Sequence, residues 1–409
     1  MSDFLFSRRF LLAGVLLITA LLISSVLATG STFAAWNWLG MPAMTPSFAD
    51  LRIVGNAVDA AQAGIDPYLD GSHDQWGRLY NYPSVWLAFM PSSRWTDATG
   101  IAIALATVAA LLALFGLRRT RAQLVAAALM FSPPVLLGIE RGNVDLLNFS
   151  LIVLVCFQAV HLPRSARTAL YAAMLVVLSV LKIYPAAASL MLAFTTRRLT
   201  PFLVTALLCA IGVALFIGPT ELSRILANTP RDRHWSFGSL VIAMEFRGLF
   251  GAPGDGGTTD RILALLLVLA SLGVALYLAV RKPKFVEGIT ADFDRDDPRA
   301  VAAVAFLAIY CFTFVLGANY EYRLIFLIGA AAPFLQSFDR TCDSKKLIFP
   351  LLVAAFAWSA HAPASRSFDE VVDLITTVTA MTLLLRVLIT SLWPRARVAP
   401  AGAPAGGAI

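Results

Sequence analysis

Residues 167–196, RTALYAAMLVVLSVLKIYPAAASLMLAFTT, decide how this chain folds. The stretch is almost entirely apolar, and it is too long for one ordinary transmembrane helix but short for two. Lys182 and Pro185 interrupt it near its middle. A proline inside a helix removes a backbone hydrogen bond and bends or breaks the helix. We therefore predict a broken hairpin of two short helices here.

The composition of the whole chain is that of a membrane protein. Of its 409 residues, 58% are hydrophobic and 14% are charged, whereas soluble domains carry about a quarter charged residues. The net charge of +7 does not indicate a nucleic-acid partner, because Lys and Arg residues follow the topology of a membrane chain. The lipid bilayer is the partner that this composition predicts.

Other apolar segments lie on both sides of the hairpin, near 10–29, 98–117, 122–139, 144–162, 200–218, 261–280, 299–317, 322–337, 346–361 and 370–392. The first follows Arg8 and Arg9 and is long enough to span, so we predict an uncleaved helix and not a signal peptide. Counting the hairpin as two, we predict an all-α polytopic membrane protein with about twelve transmembrane helices.

The basic residues favour this even number of segments. With both termini in the cytoplasm, most of the 32 Lys and Arg residues fall on the cytoplasmic side, as membrane proteins prefer. A single helix over 167–196 would instead place the basic stretch 281–299 outside. The residues 30–97 and 219–260 then form two long outer loops, and Lys182 lies near the outer end of its broken helix.

The sequence predicts one integral membrane domain over residues 1–392. The low-complexity residues 393–409 are predicted to be a disordered cytoplasmic tail. Cys156, Cys209 and Cys311 lie in apolar segments and Cys342 lies in a short basic loop, so no disulfide framework or zinc spacing is present. We expect no metal and no cofactor.

The first outer loop contains an amphipathic helix with an acidic residue near its start. Between Ser47 and Ala63 the apolar residues recur at helical spacing, which predicts a helix along the outer membrane surface. Asp50 and Asp59 lie on opposite flanks of that helix. Ser47 and Asp50 have nearly the spacing of a capping box, so a capping role for Asp50 stays open beside a role as a catalytic base.

Four other features belong to the outer side. Tyr80–Met90 is either an aromatic anchor at the interface or a substrate contact. The junctions Gly138–Asp145 and Ala318–Arg323 are dense in charge for tight turns, and His234 lies in the second long loop. Carboxylates and cations facing one cavity suggest transfer from a lipid phosphate, but Glu140, Asp145 or Glu321 could equally pair the cations.

Six short motifs in order, F-A-D, G-I-D-P-Y, Y-N-Y-P, E-R-G-N-V-D, L-K-I-Y-P and N-Y-E-Y-R, resemble the C-type glycosyltransferase superfamily. Within it they are most similar to glycosyltransferase family 87, which includes polyprenol-phosphate-mannose-dependent mannosyltransferases. The resemblance covers about Phe10 to Gly329. This chain has Ser84 after Tyr82-Pro83 and lacks a histidine in N-Y-E-Y-R, which leaves the identity of the sugar open.

The resemblance implies an inverting transfer of a sugar, mannose or another hexose or pentose, from a polyprenyl-phosphate donor. The acceptor would be a lipid or a glycan on the outer face of a bacterial inner membrane, in cell-envelope biogenesis. It also implies that Asp50 is the catalytic carboxylate.

The predicted site therefore has three kinds of residue. Asp50 is the base, and Lys182, Arg323 and Arg141 bind the donor phosphate. The predicted substrate contacts are Tyr82, Asn143, Asp145, His234, Tyr320 and Glu321. The alternatives are a transporter or flippase for a lipid-linked or anionic substrate, and a structural subunit of an envelope-assembly complex.

Overall fold

The computed structural model describes residues 6–229, 236–249, 254, 256–281, 286, 290, 293–359 and 366–393. His234 and most of the predicted tail, residues 394–409, lie outside these residues. The described chain is almost entirely helical, which confirms the predicted all-α class.

Seven helices in the described residues are long and apolar enough to cross a membrane, and a bent pair makes up to eight. The seven are α1 (Arg9–Thr29), α5 (Thr96–Leu114), α9 (Arg164–Leu181), α11 (Leu199–Phe216), α14 (Thr258–Arg281), α15 (Pro298–Val315) and α19 (Arg366–Leu392). The pair is α6 (Thr120–Met130) and α7 (Pro133–Arg141), which meet at 44°.

The predicted count of twelve spans is not confirmed. Three of the predicted segments form helices that are shorter than a span or broken: α8 (Val144–Ala159), α16 (Leu324–Ala330) followed by α17 (Ala332–Thr341), and α18 (Ile348–Ser359). Pro333 stands in the first turn of α17, where a proline ring is tolerated but ends the helix before it.

The segment 167–196 is broken, although not into two short helices. Its first arm is the full-length helix α9, and the break lies at Lys182, whose backbone is extended. The second arm is a 3₁₀ helix over Tyr184–Ser189 followed by α10 (Leu190–Thr196). The last carbonyls of a helix need other partners. At the break, the indole Nε1 of Trp86 donates to the Leu181 carbonyl at 2.9 Å.

The first long loop carries three helices: α2 (Phe33–Trp38), α3 (Ala49–Gln62) and α4 (Val85–Phe89). The capping box that the sequence left open for Ser47 and Asp50 does not form. Phe48 is the N-cap residue of α3, in a left-handed conformation, and the Ser47 hydroxyl lies 2.7 Å from that of Thr32. Asp50 therefore lies in the first turn of α3 without a capping partner of that kind.

The two long loops pack against each other. The second begins with α12 (Gly218–Asn228) and continues with β1 (Ser236–Phe237) and α13 (Ser239–Leu249). Glu221 of α12 accepts hydrogen bonds from the backbone N–H and hydroxyl of Ser84 at 2.7 and 2.8 Å. β1 pairs antiparallel with β2 (Asn319–Tyr320), so the loops and the 318–323 junction meet at one end of the bundle.

Helix α5 separates this end from the other. Its first turn carries Asp97, which pairs with Arg52 of α3. Its last carbonyls, at residues 112–114, accept hydrogen bonds from Arg8 and Arg299. The contact with Arg52 therefore lies at the opposite end of α5 from the contacts with Arg8 and Arg299.

The centre of the bundle is α15, most of whose residues are buried. Much of its buried face is alanine, and small side chains let neighbouring helices approach closely. Gly329 of α16 allows one such close approach, because a Cβ there would lie 2.7 Å from the Phe306 ring. This packing fixes the helix ends from which the polar site is built.

Candidate active site

A cavity of about 460 Å³ opens where the first long loop meets the α7–α8 and β2 junctions. Among the described residues, its lining combines a carboxylate, two guanidinium groups and aromatic rings. The polar and aromatic members used below are Asp50, Arg78, Tyr82, Arg141, Tyr320 and Tyr322. Four of these six, Asp50, Tyr82, Arg141 and Tyr320, were predicted from the sequence.

Asp50 presents its carboxylate to this cavity from the first turn of α3, where the helix dipole favours a negative charge. One-fifth of its side chain is exposed. The Nδ2 of Asn143 donates to its Oδ2 at 2.6 Å, and Nη1 of Arg78 lies 3.8 Å from its Oδ1. Oδ1 is therefore the oxygen that remains available to a ligand.

Phe48 sets the position of this turn. Its ring packs where Gly100 and Gly142 leave room, since a Cβ on Gly100 would come within 2.5 Å of the ring. A Cβ on Gly142 would come within 3.0 Å of the Phe48 Cβ. These two glycines let α3 start close to α5 and to the α7–α8 turn.

Arg78 is held rigidly beside Asp50. It donates to both oxygens of Asp74 at 3.0 Å and to the Ala49 carbonyl at 2.7 Å, and it lies over the Trp76 ring. Burial acts to raise the pKa of Asp74, but the hydrogen bonds from Arg78 outweigh it and lower that pKa overall. Asp74 therefore stays ionised beside Arg78.

Arg78 was not among the residues predicted from the sequence. Two signals could have found it: the i, i+4 spacing from Asp74, and its position two residues before the start of Y-N-Y-P.

Arg141 is the second cation in the lining. Its Nε lies 3.1 Å from the buried Glu140 carboxylate, and its Nη2 donates to the Pro42 carbonyl at 2.8 Å. Glu140 in turn accepts from the backbone N–H of Met44 at 2.8 Å. The two residues thus fasten the segment that leads into α3.

Lys182 and Arg323 lie outside the cavity lining and share one buried carboxylate. Lys182 and Tyr184 both donate to Oδ1 of Asp145, and Arg323 Nε donates to Oδ2 at 3.1 Å. Asp145 itself is fully buried. Of the alternatives left open by the sequence, the pairing of both cations by Asp145 is the arrangement present.

The other predicted contacts divide between the cavity and its surroundings. Tyr82 and Tyr320 line it, and the ring of Tyr82 also lies 5.3 Å from the Lys182 ammonium. Asn143 is fully buried beneath Asp50. His234 lies outside the residues that the structure describes.

Glu321 lies elsewhere. Its side chain is buried, and its Oε2 has no hydrogen-bond partner in the part of the chain that the structure describes. Burial, and then the charges of Asp369 and Asp373, raise the pKa of Glu321 to about 8. A group in these surroundings does not reach the cavity that contains Asp50.

No three His, Cys, Asp or Glu side chains within the described segments lie together in a way that could hold a metal ion. A carboxylate with one available oxygen can accept a proton from a hydroxyl, and two fixed guanidinium groups can stabilise an anion.

Comparison with known proteins finds no match to this chain among family models, curated proteins or solved structures.

Proposed function

We propose that the protein is an inverting glycosyltransferase that moves a sugar from a polyprenyl phosphate to a hydroxyl group of a lipid or glycan acceptor. The observation that carries the proposal is Asp50, a carboxylate at a helix start that opens into a cavity with Arg78 and Arg141. The apolar helices of the chain suit a substrate that reaches the site through a lipid phase.

In the proposed reaction, the acceptor oxygen attacks C1 of the sugar while Oδ1 of Asp50 takes the proton from the acceptor hydroxyl. The bond between C1 and the phosphate oxygen breaks, and its electron pair leaves with the polyprenyl phosphate. Attack from the face opposite the leaving group inverts the configuration at C1.

The leaving phosphate gains a negative charge during this step, so cations stabilise the transition state more than the bound donor. Arg78 and Arg141 are the cations in the lining. The buried trio of Lys182, Arg323 and Asp145 has a net charge of +1 and adds positive potential from behind. The phosphate-binding role predicted for Lys182 and Arg323 thus becomes an indirect one in this proposal, and Arg141 keeps a direct one.

The proposal is tested by incubating purified protein with polyprenyl-phosphate mannose, and with other hexose and pentose donors, plus a lipid acceptor mixture. Release of free polyprenyl phosphate and a product of inverted anomeric configuration by NMR are expected for one donor.

Intact donor that has crossed the bilayer of proteoliposomes would instead identify a transporter or flippase. Neither turnover nor movement of any donor would favour a structural subunit.

A further inference from the structure

Asn143 joins the predicted base to the buried core of the site. Its side chain is 0% exposed. As the N-cap residue of α8, it accepts from the backbone N–H of Asp145 through Oδ1 at 2.9 Å, and it donates from Nδ2 to Oδ2 of Asp50 at 2.6 Å. Both ends of the amide are thus engaged by protein groups.

The orientation of this amide follows from its neighbours. The N–H of Asp145 requires an acceptor, so the oxygen of Asn143 faces α8 and its NH₂ group faces Asp50. Asp145 cannot shift easily, because its carboxylate is fixed by Lys182, Tyr184 and Arg323. The NH₂ group of Asn143 that donates to Asp50 is therefore held in one orientation.

The backbone around Asn143 is equally constrained. Its N–H donates to the Gly138 carbonyl at 3.0 Å, and the Phe48 N–H donates to the Glu140 carbonyl at 2.8 Å. Gly142 adopts a φ of 61°, and a Cβ there would come within 3.2 Å of the Leu51 Cβ. The turn before α8 and the start of α3 therefore form one rigid unit.

We propose that Asn143 is a positioning residue for Asp50, and not the substrate contact that the sequence suggested. It fixes Oδ2 and leaves Oδ1 toward the cavity. This inference rests on the proposed function, since it assigns Asn143 to the same proton transfer.

The test uses Asn143→Ser and Asn143→Asp in the full-length protein. Serine and aspartate are N-cap residues as good as asparagine, so the cap on α8 is kept. Serine is too short to reach Asp50, and aspartate places a second carboxylate beside it. We measure kcat/KM against pH, KM at the pH optimum, and thermal unfolding.

For Asn143→Ser the acidic limb of the profile should move to higher pH by about one to two units, the equivalent of one hydrogen bond to a carboxylate. For Asn143→Asp it should move further, because two adjacent carboxylates resist ionising together. KM at the optimum should stay unchanged. Asp297→Ser, which alters the N-cap of α15 at the far end of the bundle, is the matched control and should leave the limb in place.

An acidic limb that stays in place in either folded Asn143 variant would overturn the inference, and so would a raised KM with an unmoved limb. If Asn143→Ser does not fold, the isosteric aspartate variant decides the question. Asp50→Asn separates this inference from the proposed function. If that variant is inactive, an unmoved limb removes only the role of Asn143, whereas a fully active Asp50→Asn protein removes the proposed function itself.

Discussion

Two cations share one buried carboxylate at the base of the site. Asp145 holds both Lys182 and Arg323, and its fully buried side chain leaves the charge with no contact to water. Removing one partner of a buried ion pair leaves an uncompensated charge, which typically costs about 3–5 kcal/mol. Here the second cation moderates that loss.

We expect Lys182→Met and Arg323→Met each to lower stability by about 1.5–3 kcal/mol, the value of a hydrogen bond to a charged group. Donor affinity per folded molecule should change little, because neither side chain lines the cavity. Thermal unfolding and equilibrium donor binding check this. Weaker donor binding with unchanged or higher stability would instead show that these two residues bind the phosphate directly.

Glu321 makes stability depend on pH. Its pKa of about 8 in the folded protein exceeds the ordinary 4.5, so folding is favoured while the carboxyl is protonated. Stability from this group therefore falls as the pH rises from about 4.5 to about 8.

Glu321→Gln keeps the shape and stays neutral, so its stability advantage over the wild type should grow between pH 5 and pH 8. Thermal unfolding across this range measures it. A difference between the two proteins that is independent of pH would contradict the assignment.

Dense clusters of charged residues in the sequence showed which residues lie together, but the sequence did not show which side chains pair with each other. Asp50, Asn143, Asp145, Lys182 and Arg323 do lie together, because charged residues at adjacent helix ends must find partners within the bundle. Arg78 was missed, and Glu321 was misplaced. Sequence spacing shows which helix end a residue belongs to, but the direction of its side chain depends on packing between distant elements.

Helix α12 connects the two long loops over the site. Glu221 binds Ser84 beside Tyr82, and Asn228 donates to the carbonyls of Tyr68 and Tyr80 at 3.0 Å. Asn228 also lines the cavity. The shape of the cavity therefore depends on a helix whose described side chains are all at least partly exposed.

Glu221→Ala should loosen α4 and raise KM for the donor several-fold, because two hydrogen bonds to a carboxylate are lost. Hydrogen exchange over residues 80–90 and steady-state kinetics measure this. Arg224→Ala is the matched control on the same helix, since its pair with Asp66 is about two-fifths exposed and contributes little. Equal effects from both variants would mean that α12 does not act through Ser84.

The helices were predicted well where the apolar segments of the sequence are long. Helices α1, α5, α11 and α14 match predicted segments within a few residues. Helix α3 begins close to its predicted start, but its capping residue differs, because the Ser47 hydroxyl is engaged by Thr32 and the left-handed Phe48 takes the cap position. That contact joins residues fifteen positions apart, which local cap signals do not register.

The whole molecule has two chemically different ends. One end contains the long loops and the candidate site. The other contains basic residues such as Arg118 and Arg119, whose backbone N–H groups donate to the carboxylate of Asp339. The side of the membrane assigned to each connection rests on the distribution of Lys and Arg and stays a prediction. The number of full spans did not follow from the sequence, because short and broken helices bury their ends in protein.

Membrane sidedness is the prediction at this scale. Cys342 is exposed at the basic end, and the other three cysteines are buried. In intact cells, an impermeant maleimide should label Ser72→Cys in a Cys342→Ser background but should not label wild-type Cys342 until the membrane is opened. Labelling of both from the same side would contradict the predicted topology.

The central claim is that Asp50 accepts a proton during sugar transfer, and one comparison of variants tests it most directly. Asp50→Asn keeps an oxygen that can accept from Asn143, so the site should stay folded. Asp59→Asn is the matched control, since Asp59 lies on the same helix and accepts from the Ser93 N–H at 3.2 Å.

The measurement is the rate of polyprenyl-phosphate release from the donor that the wild type uses. We predict that Asp50→Asn loses a factor of about 10² to 10⁴ with wild-type thermal stability, while Asp59→Asn keeps most of its rate. Near-normal release by folded Asp50→Asn, together with an inactive Asp59→Asn, would show that the wrong carboxylate has been identified as the base.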